Sequence, residues 1–424
     1  MAAAAAVIFF LSAIALAVDA AVVEHTFVET LVTVVNGQLP GPAIEVTEGD
    51  SVAVLLINKS PYNITIHWHG VKQWLNCWAD GVPMITQRPV LPNQNFTYRF
   101  NVTGQEGTLW WHAHIPFLRA TLHGALIIRP RNGASSYPFP KPHREVPIII
   151  GDWWEKDLAQ VASNLVHGLP DYYASASTIN GKLGDLFNCT GVPEDGYTLD
   201  VEPGKTYLLR VINAGLFSEF YVKIAGHKFT VVAADANYVN PYTTDVIAIA
   251  PGETVDALVV ANAPPGSYYI VALPNQAPLP DTQTPEYSTR GMVKYGNSQN
   301  SGNSADETEE ERDAPVVPEM PDHNDVIKSF YFHRNLTSLH HRPVPQRVDE
   351  HLFIALSLGS ICRHGQSCKR GDNNETIVIT TMNNVSFQHP MAMTPLLEAH
   401  YYHTGNVEVM QELPDTPPMF EIGL

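Results

Sequence analysis

Residues Gly107–His123 read GTLWWHAHIPFLRATLH. The run Gly107–His114 is aromatic and apolar, with His112 and His114 one residue apart around Ala113. A β-strand sends alternate side chains to opposite faces. A strand here therefore puts His112 and His114 on one side and Ala113 on the other. A second such motif lies upstream, His67-Trp68-His69-Gly70. The same alternation joins His67 and His69 and turns Trp68 away. If the two strands are neighbours, four imidazoles converge on one spot. Clustered neutral imidazoles with no thiolate suit copper, zinc, iron or nickel, and open positions suit a redox metal that binds dioxygen.

The rest of the chain agrees with strands. Helical periodicity is scarce, and short Val/Ile/Thr/Tyr-rich runs recur between Gly, Pro and Asn: Ser51–Ile57, Asn95–Val102, Ala125–Ile128, Val146–Ile150, Thr206–Ile212, Phe229–Ala233 and Ser267–Ala272. This predicts an all-β chain of antiparallel sandwiches or barrels. The 33 prolines and 28 glycines fit many tight turns. At 424 residues the chain has room for two to three domains. Its composition divides it into residues 21–140, 141–295, a polar acidic linker over 296–322 containing Asp306–Asp313, and a short last block over 323–424 with a strand at Thr376–Thr380.

The net charge of -18 argues against a nucleic-acid partner, because phosphate binding needs a basic face. Residues 1–20 are apolar, alanine-rich and end in small residues, which reads as a secretory signal rather than a membrane anchor. Eight Asn-x-Ser/Thr sequons support secretion: Asn58, Asn63, Asn95, Asn101, Asn188, Asn335, Asn374 and Asn384. In an oxidising compartment the four cysteines default to disulfides. Cys362 and Cys368 are expected to pair locally, which leaves Cys77 with Cys189 as the remaining option.

The stretches Asn63–Gly70, Trp78-Ala79-Asp80-Gly81, Thr86-Gln87 and Gly107–His123 resemble the first domain of plant laccases, which are multicopper oxidases. Pro203–Gly215, Ala225–Val239 and Ile249–Val259 are similar to the second domain, and Asn383–Phe387 and Leu396–His400 to the third. The resemblance implies tandem cupredoxin-like Greek-key β-barrels, two complete and a partial third. It implies copper: a mononuclear blue site takes electrons singly from phenolic, lignin-related molecules, and a trinuclear cluster reduces dioxygen to water. By motif position, His67 would bind the type 2 copper, and His69, His112 and His114 the type 3 pair. Asp80 resembles an acidic residue that helps supply protons there; a turn residue before Gly81 is its other reading. Secretion to the extracellular space (apoplast) and association with the cell wall are further expectations.

The chain also departs from the family. The expected His-Pro-x-His-x-His-Gly and His-Cys-His motifs are missing; His389-Pro390 begins like the first but no histidines follow, and no cysteine is flanked by histidines. A blue copper site needs that thiolate. Arg88 stands where the family usually has a cysteine. A non-catalytic secreted copper-binding or cell-wall protein derived from a laccase is therefore the alternative. His123, His227, His340-His341, His400 and His403 read as structural or surface groups.

Overall fold

The computed structural model describes residues 22–28, 34–169, 173–186, 195–275, 288–296, 314–340, 343–362, 376–387 and 394–402. The signal stretch, Asn188, Asn374, Cys189, Cys368, the run Asp306–Asp313, His341, His389 and His403 lie outside the described residues.

The first barrel is built from β1 (Val22–Val28), β2 (Ile44–Thr47), β3 (Ser51–Ile57), β4 (Ile66–His69), β5 (Asn95–Asn101), β6 (Gly107–Ala113) and β7 (His123–Arg129). One sheet runs β1-β3-β5 and the facing sheet β2-β7-β6-β4. Between them Val54, Leu56, Trp68, Tyr98, Leu109, Trp111 and Leu126 are buried, and the Trp68 ring meets Tyr98 at 5.4 Å and Phe100 at 4.7 Å. These are the odd-numbered positions of β6 and the even-numbered ones of β4, so the histidines of both strands lie on the other face.

The second barrel comprises β8 (Arg144–Trp153), β9 (Ala176–Ile179), β10 (Thr198–Val201), β11 (Thr206–Asn213), β12 (Glu219–Ile224), β13 (Phe229–Ala234), β14 (Asn237–Thr244), β15 (Ile247–Ile249), β16 (Thr254–Val260), β17 (Ser267–Asn275) and β18 (Thr289–Tyr295). Its sheets run β14-β13-β16-β11-β8-β9 and β10-β18-β17-β12-β15. β8, β11, β13 and β17 fall on runs the sequence predicts, the remaining strands of this barrel were not singled out, and not all pairings are antiparallel. β1 lies parallel to β3, β2 to β7, β8 to β11 and β10 to β18. In each pair the earlier strand returns beside a later one after an intervening element, which a hairpin cannot do.

The barrels share a dry seam of Trp110, Ala125 and Ile127 against Ile149, Ile212 and Ala214. Beside it Arg210, 1% exposed, reaches Asp256 at 2.8 Å, Thr108 Oγ1 at 2.7 Å, Glu145 at 2.7 Å and the Tyr137 hydroxyl at 3.0 Å. A buried guanidinium with every partner in place tolerates low dielectric; one partner fewer leaves a bare charge.

Three helices were not legible in the sequence. α1 (Leu158–Val166) starts at Asp157, whose carboxylate accepts from Ala159 N–H at 2.8 Å, and buries Leu158 and Val161 in the first barrel's core. α2 (Val326–Asn335) is capped by Asp325 and buries Phe332 in the second barrel's core. The sequence reading assigned α2 to the last block; in the structure it packs on the second. The end of the expected linker is ordered too: Val316 exchanges hydrogen bonds of 2.9 Å with Ser267 and Tyr269 at the start of β17, where β12 no longer pairs with it. An acidic composition says nothing about an edge that offers free backbone groups.

The last block contributes the antiparallel ribbon β19 (Leu356–Cys362) and β20 (Thr376–Met382), and α3 (Leu396–Tyr402). Leu356, Leu358 and Met382 are exposed on the ribbon. Cys362 is disulfide-bonded. Cys77 is a free, exposed thiol, so the Cys77–Cys189 option is not taken. The turn that carries Cys77 points it to solvent.

Candidate metal centre

β4 and β6 pair antiparallel, with His67 opposite His112, Trp68 opposite Trp111 and His69 opposite Trp110. The register brings the two His-x-His motifs onto one face, as the alternation predicts. Ring centroids of His67 lie 5.6 Å from His69, 5.4 Å from His112 and 5.4 Å from His114. One ligand nitrogen from each of His67, His69 and His112 lies within 4.8 Å of the others. His114 follows the end of β6, where its N–H donates to Thr65 O at 2.9 Å; its ring stacks 6.1 Å from His112, outside that tight group of three.

The His67 and His112 rings are each oriented by a backbone carbonyl. His67 Nδ1–H donates to the backbone carbonyl of Asp80 at 2.7 Å, which leaves Nε2 with its lone pair. The Asp80 carboxylate is 3.4 Å from the same nitrogen. Gly81 makes this possible. It has φ of +80°, and a Cβ there would fall 1.8 Å from Ile66 O. Only glycine lets the Trp78–Gly81 turn lie against β4. His112 Nδ1–H donates to Ala113 O at 3.0 Å, freeing Nε2, which faces His69 Nδ1 at 3.3 Å.

His69 is held from the second barrel. A Cβ on Gly252 would stand 3.3 Å from its Cε1 and 3.4 Å from its Nε2, so that ring edge abuts the Ala250–Glu253 turn. Trp110 stacks 5.1 Å from His69 and 4.4 Å from His112, and its indole N–H donates to Gly252 O at 3.0 Å. The histidine face of the first barrel is thus closed by the second. Trp110, Gly252 and Arg119 were not singled out as site residues in the sequence. Trp110 and Gly252 lie inside the quoted motifs, but their roles depend on a contact between distant segments.

Electrostatics favour the neutral, metal-binding form. Burial, helped by the charges of His67 and Arg119, pushes His69 down to about 4. Burial pushes His112 well below its ordinary value and lowers His114. His67 is the exception: burial pulls it down, but the Asp80 hydrogen bonds and charge outweigh this and raise it. Burial thus favours the neutral form of His69, His112 and His114, and Asp80 orients His67; an imidazole donor set of this kind fits copper.

The other histidines behave as structural groups. His123, 2% exposed, bonds Arg119 O at 2.8 Å through Nδ1. His227 sits between Ala225 O at 2.7 Å and the Tyr295 hydroxyl at 2.6 Å. His340 and His400 are exposed. Among the sequons, Asn58 is fully buried and both its amide hydrogens are committed, to Tyr62 O at 2.6 Å and Val90 O at 2.9 Å. Asn63, Asn95, Asn101, Asn335 and Asn384 are exposed.

Residues 18–133 and 144–297 each match a family model described as multicopper oxidase. The chain is 65% identical to Laccase-15 of Oryza sativa subsp. japonica, over 96% of its own length and 70% of that protein's. The chain belongs to the laccases. Laccase-19 of the same subspecies is 51% identical over 94% of this laccase and 68% of its own length. Solved structures share the fold. Fet3p, a multicopper oxidase that functions in iron import, superposes with a TM-score of 0.69 at 20% identity, covering 89% of this laccase and 66% of Fet3p. The laccase of Botrytis aclada gives 0.68 at 24% identity, covering 90% and 67%. The laccase therefore binds copper and is an oxidoreductase, and a non-catalytic derivative is not the favoured reading.

Proposed function

We propose that this laccase oxidises phenolic molecules one electron at a time with dioxygen as acceptor, and that His67, His69, His112 and His114 are its first barrel's copper ligands. The convergence of His67, His69 and His112 on one face, within 4.8 Å of one another, carries this reading. Copper held there supplies the one-electron chemistry that dioxygen reduction needs. The protein's part is to fix the rings and, by burial, to keep His69, His112 and His114 unprotonated. His67 offers Nε2 because Asp80 O occupies Nδ1–H. His112 offers Nε2 because Ala113 O does the same. Trp110 and the Gly252 turn exclude water from the far edge of His69. Dioxygen reduction consumes protons, and the Asp80 carboxylate, 3.4 Å from His67 Nδ1, is placed to pass them.

Electrons enter a laccase through a thiolate-bound blue copper, and no cysteine in the 424 residues lies between histidines. Phenol-coupled turnover therefore depends on such a ligand from outside these residues. Secretion to the apoplast and cell-wall association complete the proposal. Among the described residues no helix is long and apolar enough to cross a membrane. The test is to load the purified chain with copper and measure metal content and dioxygen uptake with a simple phenol. Copper that is bound by the chain and lost from the His67→Ala, His112→Ala double variant supports the assigned ligands; equal copper in both overturns them. Phenol-coupled uptake by the chain alone would overturn the need for an external thiolate.

A further inference from the structure

Helix α3 is fastened to the first barrel at its start. Leu396 N–H donates to Met84 O at 2.9 Å and Leu397 N–H to Ile85 O at 2.8 Å. Arg88 and Glu398 approach to 3.8 Å, and Tyr401 meets Trp78 edge-on at 5.8 Å. Both members of the ion pair are more than a third exposed, so it adds little. Beside this contact opens a cleft of about 360 Å³, at the small end for a ligand site. Trp78, Phe96 and Pro395 give it flat apolar walls. Gln87 also lines it, 6% exposed; its Nε2 donates to Arg88 O at 3.2 Å, and its amide also bonds the buried Tyr98 hydroxyl.

At the rim stands Asn95, in the sequon Asn95-Phe96-Thr97, with Asn95 and Thr97 both exposed. Asn95 opens β5, an edge strand of its sheet. We propose that Asn95 carries an N-linked glycan whose first N-acetylglucosamine occupies this cleft and braces α3 against the first barrel. The sugar's C–H face suits the Trp78 and Phe96 rings that line the cleft. Attachment forms a bond from Asn95 Nδ2 to the sugar C1 and breaks the C1–O bond to the diphosphate of a lipid-linked oligosaccharide. The amide proton leaves with the diphosphate, and no electrons are exchanged. The outer sugars shield β5, whose open edge would otherwise invite pairing with another chain. Of the exposed sequon asparagines, Asn63, Asn101, Asn335 and Asn384 do not line the cleft.

The test uses the full chain secreted from a host that adds N-glycans. Peptide mass spectrometry reads occupancy at Asn95, and hydrogen exchange reads the amides of Leu396 and Leu397. Asn95 should be modified. Asn95→Gln and Thr97→Ala should each speed exchange at those amides roughly tenfold, while Thr97→Ser, which keeps the sequon, should not. Trimming the native glycan to its first sugar should leave exchange slow. An unmodified Asn95, exchange indifferent to loss of the glycan, or exchange that rises when only the outer sugars are removed would overturn the proposal.

Discussion

At the scale of single residues, the ligand geometry depends on a backbone carbonyl. His67 presents Nε2 because Asp80 O takes the proton of Nδ1, and Asp80 reaches it because residue 81 has no Cβ. Gly81→Ala should therefore act on copper through position alone. The added methyl meets Ile66 O, the turn withdraws, and His67 loses its orienting partner. Outer-shell losses of this kind weaken metal affinity by about 10–100-fold. A copper titration of Gly81→Ala against the parent checks it; unchanged affinity would show that the turn is not what orients His67. Asp80→Asn keeps the carbonyl, so it should bind copper nearly as the parent does and lose proton delivery instead, read as slower dioxygen reduction once a complete copper set is supplied. The meeting of the two His-x-His motifs was legible because a strand's alternation is a local rule, whereas Asp80 was read from the family resemblance. The grip of Gly252 on His69 was not, since it joins residues nearly two hundred positions apart through a docking that local patterns do not encode.

Elements show the same division. β6 was readable as a strand, and so was which of its faces is apolar. That its second face also lies buried follows only from the second barrel packing on it. The parallel pairings escaped prediction because register between distant strands leaves no mark on either one. α2 escaped because its apolar face is narrow and follows an acidic run. Its docking rests partly on His333, whose Nε2 is 3.0 Å from Glu253 and whose pKa is raised to about 9, chiefly by that hydrogen bond. Burial opposes the shift, while the Ser329 carbonyl and the charges of Glu253 and Glu219 support it. A histidine whose folded pKa lies above its unfolded value near 6.5 contributes in full below pH 6.5. That contribution disappears as pH rises through about 9. Thermal stability of the α2 contact should fall over that window, and His333→Gln should flatten the dependence. A pH profile identical in the two proteins would exclude this pair as its source.

For the whole molecule, the Arg210 cluster decides whether the two barrels stay in register. Removing the guanidinium strands the Asp256 charge in the seam, while Glu145 keeps Arg129 at 2.6 Å. Arg210→Ala should cost about 3–5 kcal/mol. Arg210→Met with Asp256→Leu should recover much of it, because the penalty lies in unpaired charge rather than in lost attraction. Chemical unfolding of both variants separates these terms; equal destabilisation would refute the argument.

The histidines hang on the outer face of a sheet whose own core is complete without them. Trp68 and Trp111 fill the barrel, the imidazoles lie on its other face, and His69 abuts the neighbouring barrel's Gly252. Manufacture of the holoprotein then has a fixed sequence of events. Polypeptide synthesis yields a folded, docked pair of barrels first, and the ion is delivered afterwards to a finished niche. A cell short of copper would accumulate intact apoprotein that can be charged later, instead of misfolded chains for disposal.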